Sequence, residues 1–153
     1  MKRSMKKYFL PGTIIITAIL LLVFISHGRN NTAQAYDAVI YKSPTCGCCV
    51  KYASYLTDKG YKVKIVKTNN MDAIKRKYNI PEDMESCHTM VTGDKVIEGH
   101  IPLEVVEQAL ADDSITGIAL PDMPAGSPGM PGTKQGPFTI FSLEDSNPVY
   151  INY

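Results

Sequence analysis

The chain has 153 residues, sixteen basic and fifteen acidic side chains, a formal net charge of +1 and 44% hydrophobic residues. That length fits one small domain, and the near-neutral balance excludes a basic surface built for nucleic acid. Four cysteines are too few for a disulfide framework, so their placement must serve something else.

The chain opens "MKRSMKKYFLPGTIIITAILLLVFISHG". Lys2, Arg3, Lys6 and Lys7 make a basic leader, Thr13 to Ile25 an apolar run, and "AQA" at Ala33 to Ala35 a small-x-small site. This order reads as a secretory signal over residues 1–35, cleaved after Ala35. An uncleaved anchor is the alternative and would be the chain's one route to a membrane, but the apolar run is short against the roughly 20 residues of a span. No cysteine follows the run closely, so no lipoprotein anchor is indicated. The four basic residues favour a cytoplasmic N-terminus despite Arg29. The working domain is therefore expected outside the cytoplasm, in the periplasm or another extracytoplasmic space, where thiols oxidise. Sixteen basic side chains less the five in the leader leave eleven against fifteen acidic ones, a net charge of −4.

"DAVIYK" (37–42) reads as a first strand, ended by Ser43-Pro44. From Cys48 to Gly60 the pattern turns helical, with Val50, Ala53, Tyr55 and Leu56 as an apolar stripe and Gly60 as the stop. "YKVKIVKT" (61–68) alternates as a second strand. A short second helix runs from an Asn70 N-cap towards Pro81, and its Lys75-Arg76-Lys77 run reads as a solvated face. "HTMVTG" and "KVIEGH" flank Gly93-Asp94 as a hairpin. "PLEVVEQALAD" is a last helix, with Pro102 near its first turn and Leu103, Val106 and Leu110 on one face.

The order β-α-β-α-β-β-α gives an α/β fold, a mixed sheet flanked by helices. It is the thioredoxin order, expected over residues 36–117. After Ile118, "LPDMPAGSPGMPGTKQGP" reads as an irregular loop. "FTIFSL" and "VYINY" read as a terminal hairpin. Residues 118–153 are expected to pack on the domain, being too aromatic for a free linker.

Chemistry concentrates in "YKSPTCGCCVKY", which holds Cys46, Cys48 and Cys49, and in "ESCHTM", which holds Cys87 and His88. Cys46 and Cys49 have Cys-x-x-Cys spacing at the strand–helix junction. The helix N-terminus there favours thiolate, which is both redox nucleophile and metal ligand. As a redox pair, Cys46 and Cys49 would be the catalytic residues. Cys48 adds nothing to a dithiol, but dense sulfur suits Cu(I), which accepts low coordination and bridging thiolates. Zinc fits less well, because adjacent cysteines close a tetrahedron awkwardly. The strand order brings Cys87 to the end of the sheet that carries the Cys46–Cys49 turn. His88 stands where the thioredoxin order keeps a cis-proline, and His100 in "EGHIP" returns to the same end. Both are candidate ligands, against the plainer reading of surface histidines. Met123 and Met130 offer soft thioethers but read as packing residues. A metal-free thiol–disulfide oxidoreductase and a structural zinc domain stay open as alternatives, although the chain lacks Trp and lacks Pro within its Cys-x-x-Cys.

"YKSPTCGCC", "SCHT", "VIEGHIP" and "LPDMPAGSPGM" together resemble the family of exported, thioredoxin-like metal-binding proteins that includes the copper-resistance protein CopG. The resemblance runs from about Val39 to Phe141. It implies copper handling outside the cytoplasm, with Cys46, Cys48, Cys49 and Cys87 holding copper, and an oxidoreductase activity between Cu(I) and Cu(II). The implied partners are copper ions and other envelope copper-handling proteins.

Overall fold

In the computed structural model, which describes residues 36–144, 146 and 148–153, ten regular elements follow the chain. They are β1 (Ala38–Lys42), α1 (Gly47–Asp58), β2 (Val63–Lys67), α2 (Met71–Lys77), β3 (His88–Thr92), β4 (Lys95–Glu98), α3 (Leu103–Leu110), β5 (Gly117–Ala119), β6 (Thr139–Ser142) and β7 (Val149–Asn152). A 3-10 turn at Glu82–Met84 precedes β3. The expected leader, residues 1–35, lies outside the described residues. Among the described residues no helix is long and apolar enough to cross a membrane.

The strands form one mixed sheet in the order β2-β1-β3-β4-β5-β6-β7. β1 pairs parallel with β2, and β4 with β5, while the other neighbours are antiparallel. Alternation along β1 buries Ala38 and Ile40, and these meet Tyr52 and Leu56 of α1, Met90, Ile97, Val106 and Ile118 in the core. The expected β-α-β-α-β-β-α order is present, and so is the terminal hairpin.

Local chemistry explains several boundaries. Asn70 caps α2, its Oδ1 accepting the Ala73 N–H at 3.0 Å. α1 ends in a Schellman arrangement: Gly60, at φ +98°, donates to the Thr57 carbonyl, and Tyr61 to that of Leu56. Gly93, at φ +58°, makes the two-residue turn between β3 and β4.

Four expectations need correction. Val50 is exposed, and the buried stripe of α1 is Cys49, Tyr52, Ala53 and Leu56. The i, i+3, i+4, i+7 spacing starts one residue earlier than the obvious aliphatics, because a cysteine leads it. Lys75 is not part of a solvated face: it is 3% exposed and paired with buried Glu98. Met123 is exposed and does not pack in the core. Finally, β5 had no counterpart in the sequence reading. Its three residues are all buried, too short a run to show alternation. The change of texture at residue 118 falls inside β5, and β6 and β7 continue the same sheet.

The register decides where chemistry can collect. Lys42, the last residue of β1, lies opposite His88, the first of β3, and Thr89 lies opposite Glu98 near the end of β4. β5 runs parallel to β4, with Ala119 beside Glu98. The segments after β1, before β3, after β4 and after β5 therefore meet at one end of the sheet.

Candidate metal centre

At that end, Cys46 is the N-cap of α1, its sulfur accepting the Cys49 N–H at 3.3 Å. Lys42 Nζ donates to the Ser43 carbonyl at 2.7 Å, holding the turn that leads into the cap. Cys46 and Cys49 are joined as a disulfide, with Cα atoms 5.6 Å apart, and Cys48 and Cys87 are free thiols. The Cys48 sulfur is 3.4 Å from that of Cys46 and 3.9 Å from that of Cys87. The Cys87 sulfur is 3.5 Å from that of Cys49. All four sulfurs lie within 4.8 Å of one another.

A second group shares two of these residues: donor atoms of Cys49, Cys87, His88 and His100 also lie within 4.8 Å of one another. Both imidazoles are fully buried, which corrects the picture of surface histidines. Their rings meet edge to face at 4.8 Å between centroids, and the Tyr52 ring packs against them at 4.8 and 5.2 Å. Tyr52 is itself anchored by donating its hydroxyl to the Ile101 carbonyl at 2.8 Å.

His100 Nδ1 lies 2.6 Å from the Pro128 carbonyl, which can only accept, so Nδ1 carries the proton. The lone pair is then on Nε2, 3.0 Å from the Cys87 sulfur. Where a histidine ligates a metal, a hydrogen bond of this kind from its other ring nitrogen orients it. His88 Nδ1 lies 3.6 Å from the same sulfur, and its Nε2 is buried with no hydrogen-bond partner. A buried polar nitrogen without a partner costs stability unless something else takes its lone pair or proton.

Burial sets the charge states. It pushes the Cys87 thiol up to about 12, with help from neighbouring Cys48. It holds His88 well below the usual imidazole range, reinforced by His100 and Lys75. His100 is lowered by the same desolvation, opposed by its bond to Pro128. The site thus presents two neutral imidazoles and a protonated thiol at neutral pH.

The Pro/Gly-rich segment covers this end. Gly129, at φ +82°, sits so close to α1 that a Cβ there would be 2.7 Å from the Tyr52 nitrogen and 3.0 Å from the Cys48 carbonyl. Buried Ser127 holds the segment's shape, its hydroxyl donating to the Pro124 carbonyl at 2.8 Å. Met130 is half-buried in this segment.

All six candidate ligands are therefore brought together. The sequence reading missed Tyr52, Glu98 and the Pro128 carbonyl. Tyr52 was findable, lying three residues after Cys49 on the same helical face. A backbone carbonyl leaves no sequence signal.

The family described as "Protein of unknown function, DUF411" matches residues 84–130, a stretch that includes Cys87, His88, His100 and Pro128. No curated protein matches the sequence. Among solved structures, the chain is similar to one titled copper resistance protein CopG, form 1, at 32% identity over 76% of this chain and 94% of that one, with a TM-score of 0.70. It is also similar to form 2 of that protein, at 30% identity over 78% of this chain and 98% of that one, with a TM-score of 0.71.

Proposed function

This chain belongs to the family of the copper resistance protein CopG, and on that premise we propose that it serves copper resistance outside the cytoplasm by binding Cu(I) through Cys46, Cys48, Cys49 and Cys87. The observation that carries this reading is the convergence of four sulfurs, from two separate segments, within 4.8 Å of one another. Soft thiolates at that density match Cu(I) and its tolerance of bridging sulfur. The donor set also offers two neutral imidazoles, and the unpartnered Nε2 of buried His88 fits a site that expects more than protein to complete it. The Cys46–Cys49 disulfide must open before all four sulfurs are available, which takes two electrons and two protons from a thiol reductant. Nitrogen donors beside Cys49 and Cys87 favour an added oxidoreductase role, since imidazole accommodates Cu(II) where thiolates alone favour Cu(I). Export by cleavage after Ala35 completes the proposal, and intact mass of the protein from its native envelope tests it.

A second reading, a metal-free thiol–disulfide oxidoreductase, is favoured by the Cys46–Cys49 disulfide at a helix N-terminus. Cys48→Ser separates the two. It leaves that disulfide pair intact but removes a soft donor. The copper reading expects lower Cu(I) stoichiometry or affinity and loss of copper tolerance in cells. Unchanged loading and tolerance, with dithiol exchange preserved, would replace it by the second reading.

A further inference from the structure

Lys75 and Glu98 form a buried ion pair, both side chains at or below 4% exposure. Such pairs are weak sources of stability, because desolvating two charges offsets most of their attraction. Their hydrogen bonds explain what this one holds. Lys75 Nζ donates to the Ser86 carbonyl at 2.8 Å, and the Ser86 N–H donates to Glu98 Oε1 at 2.7 Å. Thr89 Oγ1 donates to Glu98 Oε2 at 2.7 Å. Both backbone polar groups of the residue before Cys87, and the side chain two residues after it, thus converge on one pair of charges.

The other side of the same backbone is fixed by β4. The Gly99 N–H donates to the His88 carbonyl at 3.1 Å. A Cβ on Gly99 would lie 2.4 Å from the Leu120 carbonyl and 2.8 Å from Ser86 Oγ, so the residues just beyond these strand ends approach too closely for any other residue there. Cys87 has no room to drift without breaking these contacts, and its sulfur is left facing Cys49 at 3.5 Å and His100 Nε2 at 3.0 Å.

We propose that Lys75 and Glu98 are positioning residues for Cys87: the pair clamps the Ser86–Thr89 backbone so that this remote cysteine stays in register with the Cys46–Cys49 turn. The purpose of the clamp rests on the copper reading above, but the clamp itself has a copper-independent readout. In Cys46→Ser/Cys48→Ser protein, Cys49 and Cys87 are the remaining thiols. Oxidised glutathione converts them to a disulfide while releasing two molecules of reduced glutathione, and the equilibrium gives their effective concentration. In Cys48→Ser/Cys87→Ser protein, the same titration reports the Cys46–Cys49 pair, which the clamp does not touch.

Lys75→Met/Glu98→Gln removes both charges without leaving either unpaired. It should lower the Cys49–Cys87 effective concentration about tenfold, as two sulfurs now 3.5 Å apart are freed to drift, and leave the Cys46–Cys49 value unchanged. Thr89→Val, a milder change, should lower the first value less and spare the second; it decides the matter if the double variant does not fold. Equal losses in both pairs would reduce Lys75 and Glu98 to general structural residues, and no loss in either would remove the clamp. Anaerobic Cu(I) titration of the protein with all four cysteines is the separate arm. Failure of the unsubstituted protein to take up Cu(I) would overturn the copper reading while the exchange result still stands.

Discussion

The Nε2 atom of His100 lies 3.0 Å from the sulfur of Cys87. Those two residues flank the β3–β4 hairpin at its open end, and the Pro128 carbonyl holds the other ring nitrogen of His100 at 2.6 Å. A backbone group in the Pro/Gly-rich segment therefore selects which nitrogen faces the sulfur. Nitrogen-15 spectra of the metal-free protein should show His100 as the Nδ1–H tautomer. An Nε2–H tautomer, or a fast average of the two, would remove Pro128 from the site.

Acid should destabilise the metal-free protein in the range where histidine titrates. Burial holds His88 well below its ordinary value and also lowers His100. Below about pH 6.5 the unfolded chain binds protons that the folded chain refuses, so stability is full above that pH and is lost as pH falls. His88 alone sets a slope of up to about 1.4 kcal/mol per pH unit in that window. Urea midpoints at pH 7.5 and 5.5 check this. A midpoint that does not fall would place water or a proton on His88.

Copper affinity should also fall with pH, for a different reason. Cys87 is a thiol at neutral pH, with its pKa pushed to about 12 by burial. Copper binding there must expel a proton, so Cys87 contributes about a tenfold loss of affinity for each unit that pH drops. Competition against a chromogenic Cu(I) chelator from pH 6 to 8 measures the slope, after correction for the chelator's own protonation. A flat profile would take Cys87 out of the ligand set.

Gly129→Ala probes the cover over the site. The residue has φ +82°, and an added Cβ would press on the Tyr52 nitrogen at 2.7 Å. The substitution should cost more than ~1 kcal/mol of stability, seen in urea unfolding. It should weaken Cu(I) binding as well, because lifting the segment draws Pro128 away from His100. Wild-type stability and affinity together would show that the segment bends freely.

How much of this was legible depends on the length scale of each signal. β1, the hairpin at Gly93-Asp94 and the Asn70 cap carry local patterns and were readable, and so was the presence of α1, though not its buried face, which Cys49 leads in place of Val50. β5 was not, since three buried residues have no period. Cys46, Cys48 and Cys49 announced themselves by crowding, and strand order placed Cys87 near them. The burial of His88 and His100 depends on Tyr52 and on a loop almost thirty residues further along, which no local window contains. Lys75 misled for the same reason: a lysine in a basic run looks solvated until its partner, twenty-three residues away, is known.

The most direct measurement is an anaerobic Cu(I) titration of the purified protein in two states, fully reduced and with the Cys46–Cys49 disulfide intact. The reduced protein should take up Cu(I) tightly enough to compete with the chelator, and the oxidised protein, lacking two of its four thiolates, should bind much less. Reduced protein that leaves all the Cu(I) with the chelator, or equal uptake in both states, would contradict a copper site built on the four cysteines.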